Sequence, residues 1–175
     1  MSQLGYDKLD SGVSMVGVPE MNVYCECGKM KSHADLNTSE DISACLTKYF
    51  STDSEELFEN DGSITDVNLD DECILTSNEA SQIMSCIAHH SPSYGMALTD
   101  CDAKGIETMS SMQSDNDADK CTWYGSINNE KLHRICPNGF PEGNDVYWQD
   151  FIGFLLICVW PDKRTITYLV GADSD

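Results

Sequence analysis

The feature that most restricts the fold lies near the C-terminus, where the stretch "DFIGFLLICVW" is followed at once by "PDKR" and then "TITYLVG". A run with no polar gap has no readable period, so it fits a buried strand as well as a buried helix. The turn-forming PDKR and the β-rich segment beyond it favour a C-terminal β-hairpin, with a buried helix over 151–160 as the alternative.

Two helices are readable upstream. In "TSEDISACLTKYFS" the apolar positions Ile42, Cys45, Leu46, Tyr49 and Phe50 follow helical spacing behind a Thr38 or Ser39 cap, with Glu40 and Asp41 in the first turn. "SNEASQIMSCIAHH" repeats the logic, with Ser77 or Asn78 as cap and Ala80, Ile83, Met84, Ile87 and Ala88 on one face. A shorter third helix is expected at "NEKLHRIC", stopped by Pro137 and Gly139. Strands are expected at "MNVYCEC", "SITDVNL", "ECILT", "GMALTD" and "CTWYGSI", all short and rich in β-formers. The segments at 91–95 and 137–145 are too short to be domain linkers, and no repeat recurs at a fixed period. The sequence thus reads as one α+β domain over 1–175: a mainly antiparallel sheet, two or three helices and a C-terminal hairpin.

Charge narrows the function. Thirty acids against ten bases give a formal net charge of −20, which repels phosphate backbones and anionic membrane surfaces. Direct nucleic-acid binding and membrane association are therefore not expected, and nothing approaches the roughly 18 consecutive apolar residues of a spanning helix. No apolar stretch follows a basic one at the N-terminus, so a signal peptide is not expected. The nine cysteines are scattered rather than set in a tight framework, which fits a reducing cytoplasm with thiols used as small core hydrophobes.

The acids are not spread evenly. From Tyr49 to Ala103 there are twelve acids and no Lys or Arg, so this interval contributes −12 while residues 1–48 and 104–175 contribute −3 and −5. Adaptation to high salt would spread acids around the whole surface, and general solubility needs no clustering. A concentrated anionic segment instead suits recognition of a basic protein, such as a nuclease or another nucleic-acid-binding protein, whose groove it would enter by DNA mimicry. The residues expected to carry this are Asp53, Glu55, Glu56, Glu59, Asp61, Asp66, Asp70, Asp71 and Glu72. Tyr49, Phe50, Phe58 or Tyr94 would supply aromatic anchors, the first two being better suited to a core. On this reading the chain is an acidic inhibitor, immunity or anti-defence protein without a catalytic site or cofactor of its own.

Other chemistries fail on spacing. Aligning Gly62 with the sixth position of a calcium loop puts Glu59 and Asp61 at the third and fifth, but Leu57 first and Asn68 twelfth, so the opening carboxylate and the bidentate clamp are both missing. The second acidic run supplies Asp115, Asp117 and Asp119 but places Lys120 where glycine is required and Ser126 where glutamate is required. Cys25, Cys27 and His33 are reasonable zinc ligands by type, yet one residue separates the cysteines and no second pair follows. Cys86 with His89 or His90 would form the nucleophile pair of a small enzyme, but the setting is devoid of cations, which opposes thiolate formation. These remain the enzyme and metal alternatives to the inhibitor reading.

Overall fold

A computed structural model of the chain describes residues 5–18, 21–52, 66–89, 120–137 and 152–174. Its frame is a six-stranded, wholly antiparallel sheet: β1 (Tyr6–Val18), β2 (Met21–Ser32), β3 (Ile74–Leu75), β4 (Thr122–Ser126), β5 (Ile152–Trp160) and β6 (Thr165–Ser174). The strand order is β1-β2-β6-β5-β4-β3. Among the described residues three helices accompany it: α1 (Ser39–Thr52), α2 (Ser77–His89) and α3 (Asn129–Ile135). The α+β class, the antiparallel sheet and the C-terminal hairpin are therefore as the sequence pattern predicts.

β5 is a strand, not a helix, and its position explains why its period was unreadable. It lies between β6 and β4 at the centre of the sheet, and every residue from Gly153 to Trp160 is buried. A strand covered on both faces has no reason to alternate. One face, with Leu155, Ile157, Val159, Ile166, Tyr168 and Val170, joins the core under α1 and α3. Phe154, Leu156, Cys158 and Leu169 alternate with them and are buried as well. The hairpin turn starts with Pro161, and Arg164 closes it in the left-handed region at φ 51°, its N–H donating to the Pro161 carbonyl.

α1 buries the stripe its spacing predicts, Ile42, Leu46, Tyr49 and Phe50. The last two form, with Tyr6 and Tyr168, an edge-to-face aromatic cluster with centroids 4.8–5.6 Å apart; each such pair adds roughly 0.5–1.5 kcal/mol beyond its area. Tyr168 lies across Gly28 of β2, its register partner, and a Cβ there would stand 2.5 Å from the ring. Gly125 in β4, at φ +153°, is likewise confined to glycine, because a Cβ would run into the Leu155 carbonyl.

The helix caps are resolved by their bonds. Thr38 caps α1, its hydroxyl accepting the Asp41 N–H, and Asn128 caps α3 through the Lys131 N–H. α2 is capped by Thr76, one residue before the expected Ser77 or Asn78. Thr76 and Glu79 form a reciprocal capping box, each side chain accepting the other's backbone N–H at 3.1 and 2.7 Å.

Three strand expectations change, the one at "CTWYGSI" is met by β4, and β1 is added. β1 had no sequence signal strong enough to predict it, since "YDKLDSG" is polar and glycine-bearing; its partner β2 holds it. β2 runs to Ser32 rather than stopping at Cys27. In "ECILT" only Ile74 and Leu75 are strand, and Asp71–Cys73 form a single 3-10 turn. "SITDVNL" is no sheet strand over its described part, for a reason set out below. "GMALTD" lies outside the described residues.

Candidate functional site

Of the carboxylates expected to bind a partner, the described ones lie on 66–72, an acidic ridge whose extended backbone is held between two helices. Val67 and Leu69 are buried while Asp66, Asn68 and Asp70 are exposed, which is the alternation that resembles a strand. Its hydrogen bonds, however, go to helices. The Thr47 hydroxyl accepts the Val67 N–H at 3.0 Å and donates to the Val67 carbonyl at 3.2 Å, so one side chain does both jobs of a neighbouring strand. The Ser43 hydroxyl accepts the Leu69 N–H at 2.9 Å while donating to the Ser39 carbonyl. On the other side, the Asn68 N–H donates to the Ile135 carbonyl at the end of α3. Period-two alternation reports extended, half-buried backbone; it does not report which groups pair with it.

Because Val67 meets Thr47 and Leu69 meets Ser43, the segment runs antiparallel to α1 and delivers Asp70, Asp71 and Glu72 at the helix's N-terminal end. There, Glu40 and Asp41 occupy the first turn, and Ser39 Oγ lies 3.2 Å from the Tyr124 hydroxyl of β4. Asp70 accepts the Glu72 N–H at 2.9 Å and the Cys73 thiol at 3.3 Å. The thiol bond is the main reason its carboxyl is held below the usual range. Glu79 is also held low, chiefly by the Thr76 N–H. Glu72 accepts from Arg134 of α3 at 3.4 Å, both side chains being exposed, a pair worth about 0–1 kcal/mol.

Three dimensions therefore alter the charge picture. The interval is free of cations in sequence, but α3 brings Arg134 towards Asp70 and Glu72 and Lys131 towards Glu79. Among the described residues Asp71 makes no ion pair, and the carboxylates of the ridge outnumber these two cations. Asp66, Asp70, Asp71 and Glu72 are all exposed; Asp53, Glu55, Glu56, Glu59 and Asp61 lie outside the described residues. Of the proposed anchors, Tyr49 and Phe50 are core, and Phe58 and Tyr94 lie outside the described residues. Two other apolar side chains at this end of the sheet order, one where β3 begins and one just after β4 ends, are exposed instead. Ile74, next to the acidic turn, is 43% exposed, and Ile127, the residue after β4, is 42% exposed. The signal available for Ile74 was its place two residues beyond the acidic run Asp70–Glu72, with Cys73 between.

The alternative sites fare differently. Cys25 and Cys27 lie within β2 and His33 just beyond its end, so an extended strand sets Cys27 and His33 roughly 20 Å apart. The His33 imidazole meets Asp7 at 3.0 Å, while the side chains of Cys25 and Cys27 lie outside the described residues. Among the described residues no group of three or more His, Cys, Asp or Glu is placed to hold a metal ion. Residues 122–126 at the end of the second acidic run are β4, as the strand expected at "CTWYGSI" requires, and Ser126 accepts the Asn128 N–H. Cys86 and His89 belong to α2, but their side chains, and His90, lie outside the described residues. Cys73 and Cys136 are buried; burial pushes both thiols up, Cys136 to about 12. Neither is set up as a nucleophile.

No protein-family model, curated protein or solved structure matches this chain.

Proposed function

We propose that this chain is a cytoplasmic acidic inhibitor, of the immunity or anti-defence kind, that binds a basic protein partner through the ridge at 66–74. The partner class that fits is a nuclease or other nucleic-acid-binding protein, whose phosphate-reading groove would receive carboxylates in place of phosphates. The observation that carries the reading is an exposed apolar residue, Ile74, on the same short stretch of chain as four exposed acids, Asp66, Asp70, Asp71 and Glu72. The backbone bearing them is fixed by hydrogen bonds to both α1 and α3. An apolar centre within a charged rim is the usual anatomy of a protein interface. Fixing the backbone beforehand lowers the ordering cost of binding. Opposite potentials raise association rates by about 10 to 1000-fold, which suits an inhibitor that must outpace its target's substrate.

The test is capture from a lysate of the native host at low and high salt, followed by association kinetics on the captured protein. A basic protein released by added salt is expected. Glu55→Gln, Glu56→Gln, Asp70→Asn and Asp71→Asn together should slow association, and Ile74→Asp should speed dissociation. An unchanged on-rate in the neutralised variant would refute the electrostatic reading.

A further inference from the structure

The opposite edge of the sheet carries a second surface, independent of the acidic ridge. β1 is the outermost strand, and among the described residues its outer side has no ladder partner. Its two halves differ. The first half holds Asp7, Lys8 and Asp10, the register with β2 shifts between Lys8 and Asp10, and Leu9 at that irregularity is 52% exposed. Charges and a bulge are the devices that keep a sheet edge from pairing with another chain. The second half, Ser11–Val18, has neither. It reads "SGVSMVGV", with no charge and no proline, and it pairs with β2 in unbroken register from Ser11↔Gly28 to Val18↔Met21. Alternate residues there direct backbone N–H and C=O groups away from β2.

We propose that two copies of the chain pair antiparallel along Ser11–Val18 of β1, joining their sheets into one across a two-fold axis. The charge distribution selects a second copy as the occupant. In a molecule of net charge −20, two copies repel wherever acidic surfaces meet. A two-fold axis also sets each group near it against its own twin. An edge free of charge is where that juxtaposition carries no penalty, and pairing centred on Ser14 places Ser11 opposite Gly17 and Val13 opposite Met15 without bringing Asp7 or Asp10 against its copy. Eight residues give an overlap of about 27 Å. Salt should act in the opposite direction from its effect on partner binding, because screening the net repulsion strengthens a contact that itself contains no ion pair.

Sedimentation equilibrium of the full chain reads this out. The expected result is a reversible dimer of the 19.4 kDa chain that tightens with added salt. Ser14→Lys sets like charges across the axis and should weaken the dimer roughly tenfold or more, with the far-ultraviolet circular dichroism spectrum unchanged to show that the fold survives. Ser14→Glu should do the same, and mixing the two variants should restore association as a mixed dimer, an outcome that a misfolded variant does not produce. A chain that stays monomeric at every salt concentration, a dimer untouched by Ser14→Lys, or open-ended polymers in place of a closed pair would each overturn the proposal.

Discussion

Replacing Thr47 by valine exchanges one hydroxyl for a methyl group of similar size, and it removes both hydrogen bonds that fix the middle of the acidic ridge. Valine and threonine have similar helix propensities, so α1 itself should be little affected. The loss falls on Val67, a buried residue, whose N–H and C=O would both lose their Thr47 partner. A hydrogen bond contributes roughly 0.5–1.5 kcal/mol net, and a buried group left unpaired costs about 1–3 kcal/mol. Thr47 is itself only part-buried, so water recovers some of this, and about 2 kcal/mol is the expected loss. For a chain of this size that lowers Tm by roughly 4–8 °C. Urea unfolding gives the free energy, and amide hydrogen exchange locates it: the Val67 amide should lose protection, while that of Asn68, bonded to the Ile135 carbonyl, should lose less. Thr47→Ser retains the oxygen and should stay within about 1 kcal/mol of the parent. A Thr47→Val protein as stable as the parent, with Val67 still protected, would refute the claim that α1 positions the ridge.

Two further outcomes follow from the core and the caps. Gly28→Ala should destabilise by roughly 1–3 kcal/mol, the usual cost of overpacking. The Tyr168 ring that meets the new methyl is held by Tyr49 and Phe50 and cannot swing away. The same change in a Tyr168→Leu background should cost clearly less, and a double-mutant cycle in urea measures the difference. On acidification, Asp70 and Glu79, whose carboxyls are held low, contribute stability that is fully present above their unfolded pKa values. That contribution fades as pH falls from about 4.5 through the lower folded values. The contribution of these two carboxylates should therefore be level above about pH 5 and be lost progressively below about 4. Asp70→Asn, which still caps, should flatten the acid limb; a melt series with the same acid limb as the parent would count against this role for Asp70.

Much of the architecture was readable from local pattern. The stripe of Ile42, Leu46, Tyr49 and Phe50 marked α1 because one helical face must be apolar to be buried, and the run at 151–160 with the turn and β-rich segment after it marked the central hairpin. The acidic residues were readable as a concentration of charge because like charges cost nothing to count along a chain. What each of those acids does was not readable. Asp70 and Glu79 act as caps, which local spacing hints at, but the pairing of Glu72 with Arg134 joins residues far apart in sequence, and only folding brings α3 beside the ridge.

Sequence alone marked the helices and much of the extended chain, since period and polarity are local properties, but it left 151–160 open between strand and helix and β1 unmarked. The tertiary structure decided which partner satisfies each extended backbone. It seats 66–70 on the hydroxyls of Ser43 and Thr47 instead of in the sheet, and it makes the weakly patterned β1 a full edge strand. Backbone donors and acceptors are identical in every residue but proline, so a sequence states that they need partners without stating whose.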